Sequence, residues 1–483
     1  MSGCGKQTGT VSSEGAASAP DGTGAADWYF NVKDYGAAGD GVADDAGAIQ
    51  KAIDECAKTG GVVYLPAGMY RMKDGVQVKL GVQIVGETDP AQADPWLKAE
   101  GVDYSRPESL LDSALFRGSW IICDYGYGDV NADAAFTFSG GYAGIQKLGF
   151  VFDGLAPVGG TVEERPPAIA LYCHKARSEY SYGSDGVTVS DIYLANPYIG
   201  IVMAAGTDLN EYSVGSPSEN TFGRMIIRNI YGGALKKTVM IKDALDMVDM
   251  HNLQLYATNT AAEYVKYRAE SCSDMEFARA DGMHLSEMRS KGAQCGVSLV
   301  PAYEGYTSIR MENLHIEAYI PLDIQATGQY SLYNSTLIST NGHPEVNRDV
   351  YADVYIHLAT PKGTAISLTL QDCDLQMQVT DKAAQTNCLN ATMTSFEAEY
   401  GKIAGCTFSG WNAGSDNGMN GPLWLNKPSN RGGGFNFFDC KFNGNAAPLL
   451  VETSENLANG FVMFTECDID AALSVPSHVW VNP

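Results

Sequence analysis

At 483 residues the chain is long enough for two or three domains, yet no break in composition divides it. Lys plus Arg total 32 against 57 Asp plus Glu, a formal charge of −25, which argues against a nucleic-acid partner and against charge-driven binding to anionic membrane surfaces. No apolar run is long enough to span a bilayer as a helix.

The first 27 residues are dominated by Ser, Gly, Ala and Pro, a composition that cannot bury a core and predicts a flexible tether over 1–27. Ser2-Gly3-Cys4-Gly5 resembles the end of a bacterial lipoprotein signal, in which Cys4 is the lipidated first residue. That resemblance implies an extracellular protein on the bacterial surface, tied to the membrane only through a lipid at Cys4.

A single folded domain is expected over 28–483, opening with a cap segment at 28–70. From Phe30 the chain reads FNVKDYGAAGDGVADDAGAIQKAIDECAKTGGVVYLPAGMY, followed by LGVQIVGE at Leu80–Glu87. Asp44 is placed to cap a helix whose apolar stripe is Ala48, Ile49, Ala52, Ile53 and Cys56; Gly60 and Gly61 end it, and a strand begins at Val62. Further strands are expected at Val82–Val85 and Trp120–Cys123.

After position 140 one short phrase keeps returning, an apolar/polar alternation broken by a small polar or acidic residue and then resumed. Its landmarks are Asp191, Asn229, Asn252, Asn313, Asn334, Asp372, Asp439 and Glu466, with weaker copies at Lys147, Glu287 and Gly405, spaced 21 to 44 residues apart. The next position reads Leu148, Ile192, Ile230, Leu253, Met288, Leu314, Ser335, Cys373, Cys406, Cys440, Cys467, a register that must face inward. A second strand per coil is marked by Ile201/Met203, Val239/Ile241 and Val297/Leu299. Such columns predict stacked coils, roughly a dozen of them on the repeat logic, rather than a β-sandwich.

Eleven cysteines are an odd number; with Cys4 set aside, ten remain. Cys373, Cys406, Cys440 and Cys467 share one inward register and read as small buried hydrophobes, so mostly free thiols are expected, with disulfides between stacked neighbours allowed by distance. No spacing suits a zinc site, and no structural metal is expected.

The segment Phe30–Tyr70 resembles the entry segment of the pectate-lyase-like superfamily of right-handed parallel β-helix proteins, which includes polysaccharide lyases, glycoside hydrolases and phage tailspikes. The resemblance implies an all-β, single-stranded right-handed parallel β-helix with an N-terminal capping helix, and a carbohydrate substrate. It does not fix the reaction. The chain departs from the polygalacturonase pattern, for Gly206-Thr207-Asp208 is at most a remnant of N-T-D and the G-H-G and R-I-K phrases are missing. The phrases of calcium-dependent pectate lyases are missing too.

Candidate site residues follow from which positions point outward. If Val239, Ile241, Val265, Tyr267, Val297, Leu299, Leu322 and Ile324 point inward, then Lys242, Lys266, Arg268, Ser298, Asp323 and Gln325 point out, with Asp243, Glu270, Tyr303 and Glu304 just beyond. Asp243, Glu270, Glu304 and Asp323 are the carboxyl groups available for hydrolysis, which needs one acid and one base or nucleophile. Lys242, Lys266, Arg268 and Tyr303 are candidate substrate-binding groups, and the cations suit a uronic-acid chain. A lyase would use Lys or Arg as base. Hydrolysis is favoured, with no cofactor; Ca²⁺ enters only for a lyase. A non-catalytic glycan-binding surface protein is the rival reading, and either a monomer or a homotrimer fits. Insertions at Gly154–Asp185, Gly206–Asn220 and Asn341–Tyr351 are expected to wall the groove, and Trp411 and Trp424 are candidates for sugar stacking.

Overall fold

A computed structural model describes residues 28–91, 117–152, 162–172, 185–204, 222–258, 262–301, 306–341, 343–346, 348–358, 366–381, 383–393, 401–411, 420–426, 434–444, 446–452, 462–476 and 479–482. Strands pair in parallel, each with the equivalent strand of the next turn, so the chain winds as a parallel β-helix. Inward side chains form unbroken ladders. Val239, Met275, Val297, Leu322, Val354, Leu389 and Leu423 follow one another in register, all buried. Each coil thus buries its apolar face only by stacking on its neighbours. No helix among the described residues is long and apolar enough to cross a membrane.

The landmark residues mark one corner of every coil. All eleven lie in the left-handed region, with φ from 49° at Asn334 to 63° at Gly405. That conformation is costly for most side chains, and Asn and Asp offset it through short polar groups that bond locally. Here they bond along the stack: Asn229 Nδ2 donates to Asp191 Oδ1 at 2.8 Å, and Asn252 Nδ2 to Asn229 Oδ1 at 2.9 Å. Just past this corner the thiols of Cys373, Cys406 and Cys440 are buried and Cys467 half-buried; the nine described cysteines, these four among them, are free.

At the N-terminal end, α1 (Ala46–Cys56) buries Ala46, Ile49, Ala52, Ile53 and Cys56 on the first coils. Its Gln50 side chain bonds both backbone groups of Gln77, accepting at 2.7 Å and donating at 3.3 Å, which satisfies part of a strand edge that would otherwise stay open. Asp45, not Asp44, occupies the N-cap position. Asp44 still accepts from the Ala46 amide at 3.2 Å, while Asp45 holds the Ala38 and Gly39 amides at 2.6 and 3.0 Å. Gly61 has φ +141°, and a Cβ there would meet the Trp28 carbonyl oxygen at 2.2 Å, so only glycine fits.

Two expectations need correction. Residues 262–271 are not a strand: they form a helix, α2 (Ala262–Ser271), and the strand of that coil is Ser273–Ala280. The stretch Gly154–Asp185 is not a continuous insertion, because it contains the strand Pro167–Tyr172, paired with Ile199–Ala204. The tether at 1–27 with Cys4, and the segment Gly206–Asn220, lie outside the described residues.

Candidate active site

The sheet on either side of α2 presents one outward register in which Met240, before the helix, and Glu276, Ser298, Asp323, Tyr355, Asn390 and Trp424, after it, stand on successive rungs. Inward neighbours on both sides, such as Met275 and Phe277 around Glu276, fix that orientation by strand alternation. Rungs of a parallel sheet repeat at about 4.8 Å, so Glu276 and Asp323, two rungs apart, are separated by roughly 10 Å along the stack.

Asp323 is held from two sides. Its Oδ1 lies 2.7 Å from His357 Nε2, and its Oδ2 accepts from Gln325 Nε2 at 2.8 Å. The His357 ring stacks on Tyr355 with centroids 4.3 Å apart. The contact is a hydrogen bond between the Asp323 carboxyl and the His357 ring nitrogen.

Glu276 is 6% exposed and meets Lys237 Nζ at 2.7 Å. Burial pushes the carboxyl up to about 8 and the ammonium down to about 8. Neither group gains by charging alone, and the short contact lets the pair share a proton.

Helix α2 lies over the earlier rungs of the same sheet. Tyr264 packs with Ala170, Val202 and Met240, and the Tyr267 hydroxyl is 3.2 Å from that of Tyr198. Between α2 and the turn at 343–346 opens a cleft of about 410 Å³, lined by Val162, Ala262, Glu263, Lys266, Tyr267, Glu270, His343 and Glu345. The helix leads into the strand carrying Glu276, and the turn leads into Val350–Leu358, which carries His357. The cleft therefore lies between the chain segments that enter the first and last rungs of the acid–base group.

The expected site residues scatter across this landscape. Asp323 stands in the outward register, as read from sequence. Lys242 and Asp243 lie within the earlier strand Lys237–Leu255; Asp243 has φ 62° and pairs with Arg279, φ 49°, at 3.1 Å, while burial raises its carboxyl despite that partner. Lys266 and Glu270 line the cleft from α2, with Lys266 bound to Glu345 at 3.0 Å. Arg268 is excluded from substrate binding: it is buried and gives both Nη2 bonds, each 2.7 Å, to Asp274. Trp411 is buried in the core, whereas Trp424 stands half-buried on the outward register. Tyr303 and Glu304 lie outside the described residues.

Glu276, Lys237, Tyr355 and His357 were not singled out from sequence. The signal for Glu276 is the alternation Met275, Glu276, Phe277; for His357 it is Val354, Tyr355, Ile356, His357.

The family described as Rhamnogalacturonase A/epimerase, pectate lyase-like, matches residues 29–106, and the rest of the chain continues the same stacked architecture. Over residues 29–106 the chain resembles the pectate-lyase-like superfamily. The chain is 49% identical over 79 residues, 14% of its length, to mannuronan C5-epimerase AlgE1 of Azotobacter vinelandii, and matches 6% of that relative. It is 53% identical over 57 residues, 12% of its length, to alginate lyase 7 of the same organism, matching 7% of it. The chain thus spans only a small part of these curated relatives. Among solved structures, DFA-IIIase from Arthrobacter chlorophenolicus A6, without its lid and in complex with GF2, aligns over 94% of this chain and 99% of its own with a TM-score of 0.53. At 11% identity that likeness is one of fold.

Proposed function

We propose that this protein is a carbohydrate-active enzyme that hydrolyses glycosidic bonds on the outward register of Glu276, Ser298 and Asp323. The observation carrying the reading is the pair of carboxyl groups two rungs apart, one buried so that it holds its proton to about 8, the other held by His357 and Gln325. Glycoside hydrolysis needs that division: one carboxyl protonates the leaving oxygen while the other takes a proton from the attacking water.

In this scheme Glu276 is the acid and Asp323 the base. His357 orients Asp323 and stabilises its negative charge before it accepts the proton. The two-rung separation of roughly 10 Å lies nearer the ~6.5–9.5 Å of inverting enzymes than the ~5 Å of retaining ones, so inversion is expected. Tyr355 and Trp424, further along the same register, offer ring faces to sugars.

The named activities of the relatives supply a competing chemistry. A C5-epimerase and a lyase both suggest proton abstraction beside a uronate carboxylate, and His357 has the geometry of a base for it. A reducing-end assay over neutral, amino-bearing and uronic-acid polysaccharides, read with the ultraviolet absorbance of unsaturated sugars, separates these. New ends without absorbance support hydrolysis; absorbance overturns it in favour of elimination. Silence in both readouts, with glycan retained, would leave a binding protein. Anchoring through a lipid at Cys4 on the bacterial surface is part of the same proposal. Its check is metabolic labelling with a fatty acid in the full-length protein, which Cys4→Ser should abolish.

A further inference from the structure

Among the described residues, several cations beside the sheet are already paired with carboxylates. Arg268 faces Asp274 at 2.7 Å, Arg279 faces Asp243 at 3.1 Å and Lys266 faces Glu345 at 3.0 Å, while Lys237 lies 2.7 Å from the catalytic carboxyl of Glu276. Lys242, 7% exposed, is not free either. The first two of these pairs are largely buried, so a carboxylate arriving on a substrate would have to draw a cation away from a partner left without compensation in a dry place. Trading one ion pair for another yields no net attraction, and the stranded Asp or Glu opposes it.

The cleft beside the sheet repeats the message on its walls. Glu263, Glu270 and Glu345 line it with Lys266, itself bound to Glu345, while Arg348 beside the cleft donates to the Glu270 backbone oxygen at 3.1 Å. The same cleft offers the Tyr267 ring and His343, groups suited to a sugar's apolar face and hydroxyls. An approaching polyanion meets like charge here, and it meets it again in a chain with a formal charge of −25.

We infer that this site takes a glycan without acid groups, neutral or amino-bearing, and rejects polyuronates. The inference rests on the proposal that the Glu276–Asp323 sheet is catalytic, and it narrows the substrate class of that same site. It runs against the polyuronate substrates suggested by the names of the relatives and by the cations singled out from sequence.

The test uses the full chain against alginate and polygalacturonate, against a neutral β-glucan and an arabinan, and against chitosan. Released reducing ends are measured alongside retention in affinity gels at low and high salt. Cleavage and retention confined to the non-acidic glycans are expected, with polyuronates held at least ~100-fold more weakly. A Glu263→Lys, Glu270→Lys variant, changed only at exposed positions of α2, should gain retention of alginate that salt abolishes, with its circular dichroism unaltered. Cleavage of a polyuronate by the unmodified protein would overturn the inference while leaving the enzymatic reading intact. Neither cleavage nor retention of any glycan would overturn both.

Discussion

His357 on one rung and Asp323 on the preceding rung are joined by a 2.7 Å bond between Nε2 and Oδ1 that crosses the stack. The bond ties a half-exposed ring to a nearly buried carboxylate and fixes how both face the groove. Asp323→Asn keeps the shape but removes the base, so turnover should fall by ~10²–10⁴-fold on the best glycan of the panel. His357→Asn should lower kcat by less and leave KM nearly unchanged, because it orients the base without replacing it. Steady-state kinetics with unchanged circular dichroism check both; full activity of Asp323→Asn would sink the assignment.

The proton on Glu276 sets a pH limit. Burial raises its carboxyl from the usual carboxylate range to about 8, so the acid form persists through neutrality and is lost as pH climbs past that value. Activity should therefore decline on the alkaline side with a midpoint near 8, and Glu276→Gln should be inactive at every pH. The same shift carries a stability cost of the same sign: the folded state binds this proton more tightly than the unfolded chain, so the contribution is whole below about 4.5 and is lost as pH rises through about 8. A pH–rate profile extending to alkaline values is the measurement.

Arg268 should prove structural. Arg268→Met leaves Asp274 buried without its bidentate partner, a loss of about 3–5 kcal/mol. The double change Arg268→Met, Asp274→Leu removes the stranded charge and should recover much of that. Urea unfolding of the two variants decides: equal destabilisation would contradict the buried-pair account.

The landmark corner makes a backbone prediction. Asn252 has φ 56° and bonds Asn229 across the stack. Asn252→Ala should cost about 1–2 kcal/mol, while Asn252→Gly, which meets no Cβ penalty, should cost less. Thermal unfolding of both variants gives the order.

The stacked columns could be read directly because inward positions obey a spacing that local sequence carries: Ile230, Leu253 and Met288 are apolar whatever the loops between them do. The landmark residues were picked out by the same recurrence, but their left-handed backbone was not read from it and came only with the structure. The strand that bears Glu276 was missed through an ambiguity of period. Val265 and Tyr267 alternate like a strand, but Tyr264 and Arg268, four apart, also share one helical face, and only tertiary packing chose between them. Arg268 looked available because its partner Asp274 lies six residues on, past the end of a helix that the alternation hid. The Asp323–His357 bond spans 34 residues and depends on rung order, which no local pattern reports.

Between Leu255 and Ser273 the chain turns its corner by way of a ten-residue helix, whereas in the following coil one continuous strand, Met283–Val300, makes the same passage. The ladders on either side keep their register through both solutions, with Leu253 beside Met288 and Met275 beside Val297. Detour length at this corner is thus decoupled from the pitch of the stack. The wall of the groove can therefore change length at this corner while the spine of the stack stays unaltered.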